Sequence, residues 1–331
     1  MAAVGDNNFM RYIYRGEEGE IIPDGATHIT VAEDVTVIRE EAFRSHPNIV
    51  EIICHDGVKF IERCAFSDCL SLRRVIMPGV KILDEFAFDS CDELTDVACD
   101  KLEIIKEYAF ASTSLRSINM PSMRIVEMHA FSRCKALVDV KFGNKLERFD
   151  DEGTFFKCTS LERITIPLKD GIITADDIFQ ECDNLKYVDL IEGELHETIA
   201  ALHLEEWGND MNEEIDSINQ ILPSARAGYW DDFGGDDQGE KAQTIRTWIR
   251  SVLGKIIHYQ AEHQRILNEA AYTILLLLPQ DIVTNNVLPF LELPSHTFEV
   301  EEDEDNHGDS YSDESSSEGE SQMEEDGGDE R

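Results

Sequence analysis

"AFSDCLSLRRVIMP", residues 65–78, contains a phenylalanine, a cysteine three residues later, and a leucine that precedes alternating apolar side chains. The arrangement recurs in seven copies along the chain, each anchored on one phenylalanine. The anchors are Phe43, Phe66, Phe88, Phe110, Phe131, Phe155 and Phe179. They are 23, 22, 22, 21, 24 and 24 residues apart. A near-constant period of this length indicates a solenoid, because each unit can bury its apolar face only against its neighbours.

Each copy continues into a stretch typical of a short β-strand. A branched apolar residue comes six residues after most anchors, although Leu115 stands one place early. Two alternating apolar positions follow: Ile52 and Cys54, Val75 and Met77, Val97 and Cys99, Ile118 and Met120, Val140 and Phe142, Ile164 and Ile166, Val188 and Leu190. Period two with many valines and isoleucines predicts a strand with one buried face. Prolines after three of these pairs, Pro78, Pro121 and Pro167, would end the strands.

We therefore expect one short strand per unit, stacked in register into a parallel sheet along a curved coil. Another apolar column lies before the anchors, at Ile38, Ile61, Leu83, Ile105 and Val126. The phenylalanines would then occupy the return turn that closes each unit.

The eight cysteines raise the question of a metal or redox site, since Cys64 and Cys69 have a Cys-x4-Cys spacing. Seven of the eight fall on core columns of the repeat, and only Cys64 lies off them. A zinc site needs four converging ligands at short spacings, whereas a column places one member in each repeat. We therefore interpret the cysteines as small apolar core residues, with metal or redox work as the alternative.

These motifs resemble the BspA-like class of leucine-rich repeats, characterised by a strand of the type L-x-x-I-x-L-P and a return segment with A-F-x-x-C. Here "LRRVIMP", "LERITIP", "AFSDC", "AFDSC" and "AFSRC" match, and the resemblance covers about residues 27–190. The asparagine or cysteine that follows the strand in the better-known leucine-rich pattern is missing. The resemblance implies an α/β solenoid with parallel strands on its concave face and a protein-interaction scaffold without catalytic residues.

The chain divides into four predicted parts. Residues 1–30 would form an N-terminal cap, with "RYIYRGEEGEIIPDGATHITV" folded as a hairpin over the open end of the solenoid. Residues 31–194 are the leucine-rich repeat solenoid, residues 195–298 a helical region, and residues 299–331 a disordered acidic tail.

The helical region carries two apolar stripes at helical spacing. The first runs from Leu195 to Leu222 and ends at Pro223, and the second runs from Ile245 to Ala270 within a segment that ends at Pro279. The second helix is too long to bury its stripe alone. It could pair with the first as a helical hairpin, cap the C-terminal end of the solenoid, or dimerise as a coiled coil. The whole segment resembles one that accompanies BspA-like repeats in algal proteins.

The tail from Glu299 to Arg331 contains 16 acidic residues and one arginine. Such a composition cannot bury a core, so we expect disorder. Four serines have an acidic residue three places later and are candidate phosphorylation sites, although serines in any acidic tail meet this pattern by chance: Ser310, Ser315, Ser317 and Ser321. The tail could keep the protein soluble or attract basic partners such as histones or ribosomal proteins.

The net charge of −40, from 69 acidic and 29 basic residues, argues against nucleic acid or an anionic membrane as partner, because phosphate contacts need Lys and Arg. The N-terminal residues lack the apolar core of a secretory signal. The longest apolar run, "ILLLLP", is too short to cross a bilayer. We expect a cytoplasmic location, since buried thiols suit a reducing compartment, with the cell surface as the lesser option.

Catalytic motifs are not found. His258 and His263 are five residues apart, one more than the i, i+4 spacing with which a helix presents two metal ligands. The glycines of "FGGDDQG" follow no predicted strand and do not form a phosphate-binding loop. We expect no enzyme activity, no cofactor and no metal.

The residues that alternate with the buried strand positions must point outward. They form two columns with both charges and two isoleucines. The first is Glu51, Arg74, Asp96, Ser117, Asp139, Arg163 and Tyr187, and the second is Ile53, Ile76, Ala98, Asn119, Lys141, Thr165 and Asp189. We predict a protein partner there, contacted by Arg74, Arg163 and Tyr187 with Lys141 and Asp139, since Arg and Tyr are enriched among hot spots. The alternatives are an ordinary solvated face, and a structural protein that oligomerises through its helices.

Overall fold

The computed structural model describes residues 10–150, 152–191, 209, 213 and 240–277. The chain divides into two units, residues 1–266 and 267–331. The first unit contains the repeats and most of one helix. Of the second, the structure describes residues 267–277, the last turns of that helix.

Nine strands of three to five residues form the front face of the solenoid. They are β1 (Arg11–Tyr14), β2 (His28–Val31), β4 (Glu51–Ile53), β6 (Arg74–Ile76), β8 (Asp96–Ala98), β10 (Ser117–Met120), β12 (Asp139–Phe142), β14 (Arg163–Pro167) and β15 (Tyr187–Ile191). They pair only in parallel, as one sheet from β1 to β8 and a second from β10 to β15. This confirms the predicted parallel solenoid, because each turn adds one strand in register with the last.

A third parallel sheet, of six strands, lies behind the two front sheets and forms the back of the solenoid. Its strands are β3 (Val37–Ile38), β5 (Phe60–Ile61), β7 (Ile82–Leu83), β9 (Ile104–Ile105), β11 (Ile125–Val126) and β13 (Arg148–Phe149). The expectation of one strand per unit is therefore wrong. The apolar column before the anchors forms these back strands. Each back strand has only two residues, which is too few to show the alternation by which a strand is predicted.

The seven anchor phenylalanines stack into one column through the centre of the solenoid. Neighbouring ring centroids are 4.9 to 5.7 Å apart, and the ring planes are within 16° of parallel. Each ring is almost completely buried. The predicted core column is confirmed, since aromatic rings at this separation pack favourably when stacked with an offset.

The N-terminal residues extend the solenoid and do not form the predicted hairpin. Strand β1 pairs in parallel with β2, with Arg11 opposite His28, so residues 15–27 make a crossing connection. Gly16 and Gly19 adopt positive φ angles of 67° and 73°, which glycine permits at sharp bends. Tyr14 lies 4.9 Å from the Phe43 ring and covers the end of the phenylalanine column. A parallel strand keeps its buried side chains aligned with the column, which explains the correction.

The cysteine column does more than fill space. Each thiol lies within hydrogen-bond distance of the phenylalanine carbonyl of the preceding unit. The sulfur–oxygen distances are 2.9 Å for Cys69, 3.1 Å for Cys91, and 3.0 Å for Cys134, Cys158 and Cys182. A weak S–H donor therefore joins successive turns of the solenoid. Cys64 is buried as well, and all eight cysteines are free thiols.

Native thiol labelling tests this packing. Burial raises the pKa of Cys54, Cys69 and Cys99 to about 12. Because the raised pKa keeps these thiols protonated, and the thiolate is the nucleophile, iodoacetamide at about pH 8 should label them slowly in the native state. Labelling should be fast in urea, where the pKa returns to about 8.5. Mass spectrometry detects the label. Rapid labelling of the native protein, or one tightly held zinc ion per chain, would refute the packing interpretation.

The helix α1 (Glu240–Leu277) packs on the last turns of the solenoid. Its buried residues, which belong to the same hydrophobic core as the repeats, are Ala242, Ile245, Ile249, Val252 and Ile256. Lys241 donates to the carbonyl of Cys182, Arg246 pairs with Asp176, and Arg250 Nε lies 3.2 Å from Asp170 Oδ1. The described residues therefore show the predicted capping, whereas the predicted helical hairpin depends on a first helix that they do not cover. The first predicted helix and the acidic tail lie outside the described residues, apart from residues 209 and 213.

Within the described parts of the chain, no helix is long and apolar enough to cross a membrane.

Candidate protein-binding face

The front face presents the two predicted outward columns in register. Within each sheet, every outward residue lies opposite the outward residue of the next strand, for example Glu51 opposite Arg74 and Asp139 opposite Arg163. The period-two alternation of a strand places these side chains on one surface. The geometry of the predicted columns is thus as expected.

The N-terminal half of this face carries an apolar line. Ile13, Thr30, Ile53, Ile76 and Ala98 follow one another across five strands in register. Ile13 is 52% exposed and Ile53 38% exposed. The sequence interpretation missed Ile13 and Thr30 because the hairpin would have placed them elsewhere. The alternation within "RYIY" is the signal that could have identified Ile13.

Arg163 and Tyr187 form a single cluster at the C-terminal half of the face. The Nη1 atom of Arg163 lies 2.7 Å from both Asp189 oxygens, and its guanidinium carbon lies 4.6 Å from the centroid of the Tyr187 ring. The hydrogen bond to Asp189 raises the pKa of Arg163. Asp189, which the contact prediction did not include, therefore holds Arg163 in place over the Tyr187 ring.

Arg74 lies apart from this cluster. Its Nε is 2.9 Å from Asp96 Oδ2, and its Nη1 is 3.6 Å from Glu51 Oε1. Two strands, β8 and β10, lie between Arg74 and Asp139 along the face. The five predicted contact residues thus share one surface without forming one cluster.

Lys141 and Asp139 lie on the same strand, with 3.4 Å between Lys141 Nζ and Asp139 Oδ2. The other carboxylate oxygen of Asp139, Oδ1, is buried and has no hydrogen-bond partner among the described residues. A buried acceptor without a donor is costly. Asp139 is therefore a predicted contact residue with one carboxylate oxygen that lacks a hydrogen bond from the described residues.

A surface concavity of about 340 Å³ lies at the turns that lead into the back strands. Lys81, Lys101, Arg124 and Lys145 line it together with Glu103 and Ser122. Lys81 pairs with Glu103 at 2.6 Å, and Arg124 pairs with Glu147 at 2.7 Å. These ion pairs neutralise much of the positive charge, so this concavity is a weak candidate for an anion site.

Other predicted sites have different outcomes. The candidate phosphorylation sites Ser310, Ser315, Ser317 and Ser321 lie outside the described residues. Over the described ranges, no group of three or more His, Cys, Asp or Glu side chains is arranged to hold a metal ion.

A family model described as the BspA type leucine rich repeat region matches residues 25–138 and 103–201, with six copies. A solved leucine-rich repeat protein of T. pallidum is 28% identical, with 44% of this chain and 70% of that chain covered and a TM-score of 0.37. A leucine-rich cell surface protein of Faecalibacterium prausnitzii is 17% identical, covering 50% of this chain and 79% of that one at a TM-score of 0.27. No curated protein matches this chain.

Proposed function

This chain belongs to the BspA-type leucine-rich repeat family, and we propose that it is a non-catalytic scaffold that binds a protein partner on its front face. The observation that carries the proposal is the composition of that face. An apolar line containing the exposed Ile13 and Ile53 and the half-buried Ile76 runs beside a line of charged side chains. Protein interfaces combine an apolar centre with a polar rim in this way.

The charges favour a protein over a nucleic acid. The line beside the apolar residues reads Arg11, His28, Glu51, Arg74 and Asp96 along the first sheet. Acidic and basic groups are interspersed, whereas phosphate binding requires an excess of basic groups. A protein surface with its own mixed charges matches this arrangement.

The Arg163 cluster suits a role in recognition. Its guanidinium lies over the Tyr187 ring and is held by Asp189, so little side-chain entropy remains to be lost on binding. Arg and Tyr are also the residue types most often found to dominate binding energy. We infer that Arg163 and Tyr187 are principal contacts, with Arg74 as a third contact and with Lys141 and Asp139 near the middle of the face.

The alternative, assembly through the helices, has less support. The apolar stripe of α1 from Ala242 to Ile256 is buried in the core of the repeat unit. A coiled coil would need to expose this stripe first. The proposal therefore assigns this half of α1 to the fold and the front face to binding.

A triple variant tests the proposal once a partner has been captured from the native cell. Substituting Arg74, Arg163 and Tyr187 together by alanine should weaken binding at least about tenfold, or ~1.4 kcal/mol, because the charged and aromatic contacts are lost. Calorimetric titration measures this, and the melting temperature should change little.

The matched control replaces three exposed arginines outside the front face, Arg44, Arg63 and Arg124, by alanine. Its affinity should remain within about twofold of the wild type, since rim and remote charges contribute little. Undiminished binding by the front-face variant, or an equal loss in the control, would contradict the proposed binding face.

A further inference from the structure

The front face is interrupted once, between β8 and β10. Among the described strands, one front sheet ends at Asp96–Ala98 and the next begins at Ser117–Met120. The back sheet continues past the same point, where Ile104 pairs with Ile125. The solenoid is thus intact at its back and open at its front, between the front strands of the third and fourth repeat copies.

A missing residue explains the interruption. The step from Phe110 to Phe131 is the shortest of the repeat, 21 residues, and Leu115 follows its anchor one place early. In neighbouring units, the corresponding leucine donates its N–H to the cysteine carbonyl, as Leu94 does to Cys91 at 3.0 Å. In the short unit, the hydroxyl of Thr113 instead donates to the carbonyl of Phe110 at 3.0 Å. The shortened turn directly precedes β10, which among the described strands pairs with β12 and not with β8.

The interruption opens a cleft of about 340 Å³, which we name the sheet-break cleft. Its walls are β8 and β10, and Asp139 and Lys141 close it on the side of β12. Val97, at an inward position, is partly exposed here, whereas Val75 and Val140 at the same position are fully buried. The cleft therefore has an apolar floor at Val97, an inward position that is buried in the other repeat strands.

The cleft is rich in hydrogen-bond acceptors and carries net negative charge. Asp96, Asp100 and Asp139 line it against a single basic residue, Lys141. Arg74 pairs with Asp96, and Lys141 pairs with one oxygen of Asp139. The second Asp139 oxygen is buried and has no hydrogen-bond partner among the described residues.

We propose that the sheet-break cleft receives an arginine side chain of the protein partner. This inference rests on the proposed function and names the chemistry of one contact. A guanidinium is planar and carries five donors in a fixed fork, which suits a carboxylate beside the carbonyls of two strand edges. Its apolar stem would lie on Val97 and Ala98, since long basic side chains bury their stems along apolar surface. A lysine offers a single point of charge and matches this set of acceptors less well.

The test uses the full chain and a small probe, N-acetyl-L-arginine amide, followed by amide NMR. Saturable shifts are expected at Val97, Cys99, Ser117 and Asn119, which line the cleft. N-acetyl-L-citrulline amide, a neutral probe of the same shape, should produce none, because the acceptors in the cleft select positive charge.

Two variants localise the effect. D139N should weaken the binding of the arginine probe by about tenfold, since the substitution removes a negative charge that faces the guanidinium. D34N, which alters an exposed aspartate in a turn outside the cleft, should leave the response unchanged. Inserting one alanine between Ser114 and Leu115 restores the common spacing of the repeat. Strands β8 and β10 should then pair, and the amide shifts with the arginine probe should disappear.

No saturable shift with the arginine probe, equal shifts with citrulline, or an unchanged affinity in D139N would each overturn the inference. If the insertion variant fails to fold, D139N and the citrulline probe still decide the question. Failure here is distinguishable from failure of the proposed function, because the triple variant of Arg74, Arg163 and Tyr187 is tested with the captured partner and not with this probe.

Discussion

Replacing Phe88 by alanine should lower the free energy of unfolding by ~3–5 kcal/mol. The ring is fully buried and lies between Phe66 at 5.0 Å and Phe110 at 5.4 Å. Its removal leaves a cavity in the middle of the phenylalanine column, and both neighbouring turns lose a packing surface. In a solenoid, stability is close to a sum of contacts between neighbouring units, so no distant contact compensates.

The matched control is Phe86→Ala, two residues away. The Phe86 ring is half-buried at the surface and stacks on Tyr108 at 5.1 Å, so its loss should cost only about 1 kcal/mol. Urea denaturation followed by circular dichroism measures both variants. If the two variants lose equal stability, or the Phe88 variant keeps the wild-type midpoint, the phenylalanine column does not carry the stability assigned to it.

Replacing Ile249 by alanine should destabilise the repeat unit by ~2–5 kcal/mol. Ile249 is 2% exposed and belongs to the core that α1 shares with the last turns of the solenoid. Without the cap, the end of the solenoid would expose its core and the edge of its sheet. The effect should be strongest near this end, so the amide hydrogens of β15 should exchange faster than those of β6.

Ile257→Ala on the same helix is the control for this prediction. Ile257 is 64% exposed, and a surface substitution of this kind usually changes stability by less than about 0.5 kcal/mol. Urea denaturation and hydrogen exchange by mass spectrometry distinguish the two variants. Unchanged exchange at β15 in the Ile249 variant would show that α1 does not protect the solenoid end.

Much of the repeat unit could be predicted from the sequence. The spacing of the anchors identified the phenylalanine column, and the alternation around Val75 and Met77 identified the front strands and their outward residues. These features recur in every turn, so a pattern that is weak in one copy becomes clear when the copies are compared. The cysteine column followed from the same repetition, although the bond from each thiol to a carbonyl one turn away did not.

The candidate site was predictable in its position and less so in its details. Arg74, Arg163 and Tyr187 were placed on the front face by alternation alone. The support of Arg163 by Asp189 depends on side-chain conformations that the pattern does not contain. The sheet-break cleft had a signal in the sequence, the early Leu115. A shift of one residue within the repeat does not by itself say whether the pairing between β8 and β10 is kept or lost.

Sequence alone determined the solenoid, because a near-constant period of about 22 residues with one apolar face per unit is typical of stacked repeats that bury this face against their neighbours. Tertiary structure decided what closes its two ends. A parallel strand and a hairpin strand share the same local pattern in "RYIY", and only the packing of Tyr14 on Phe43 distinguishes them. The stripe from Ile245 to Ile256 likewise required a covering surface without specifying which one. The last turn of the solenoid provides it, because an exposed core there lies within reach of a helix in the same chain.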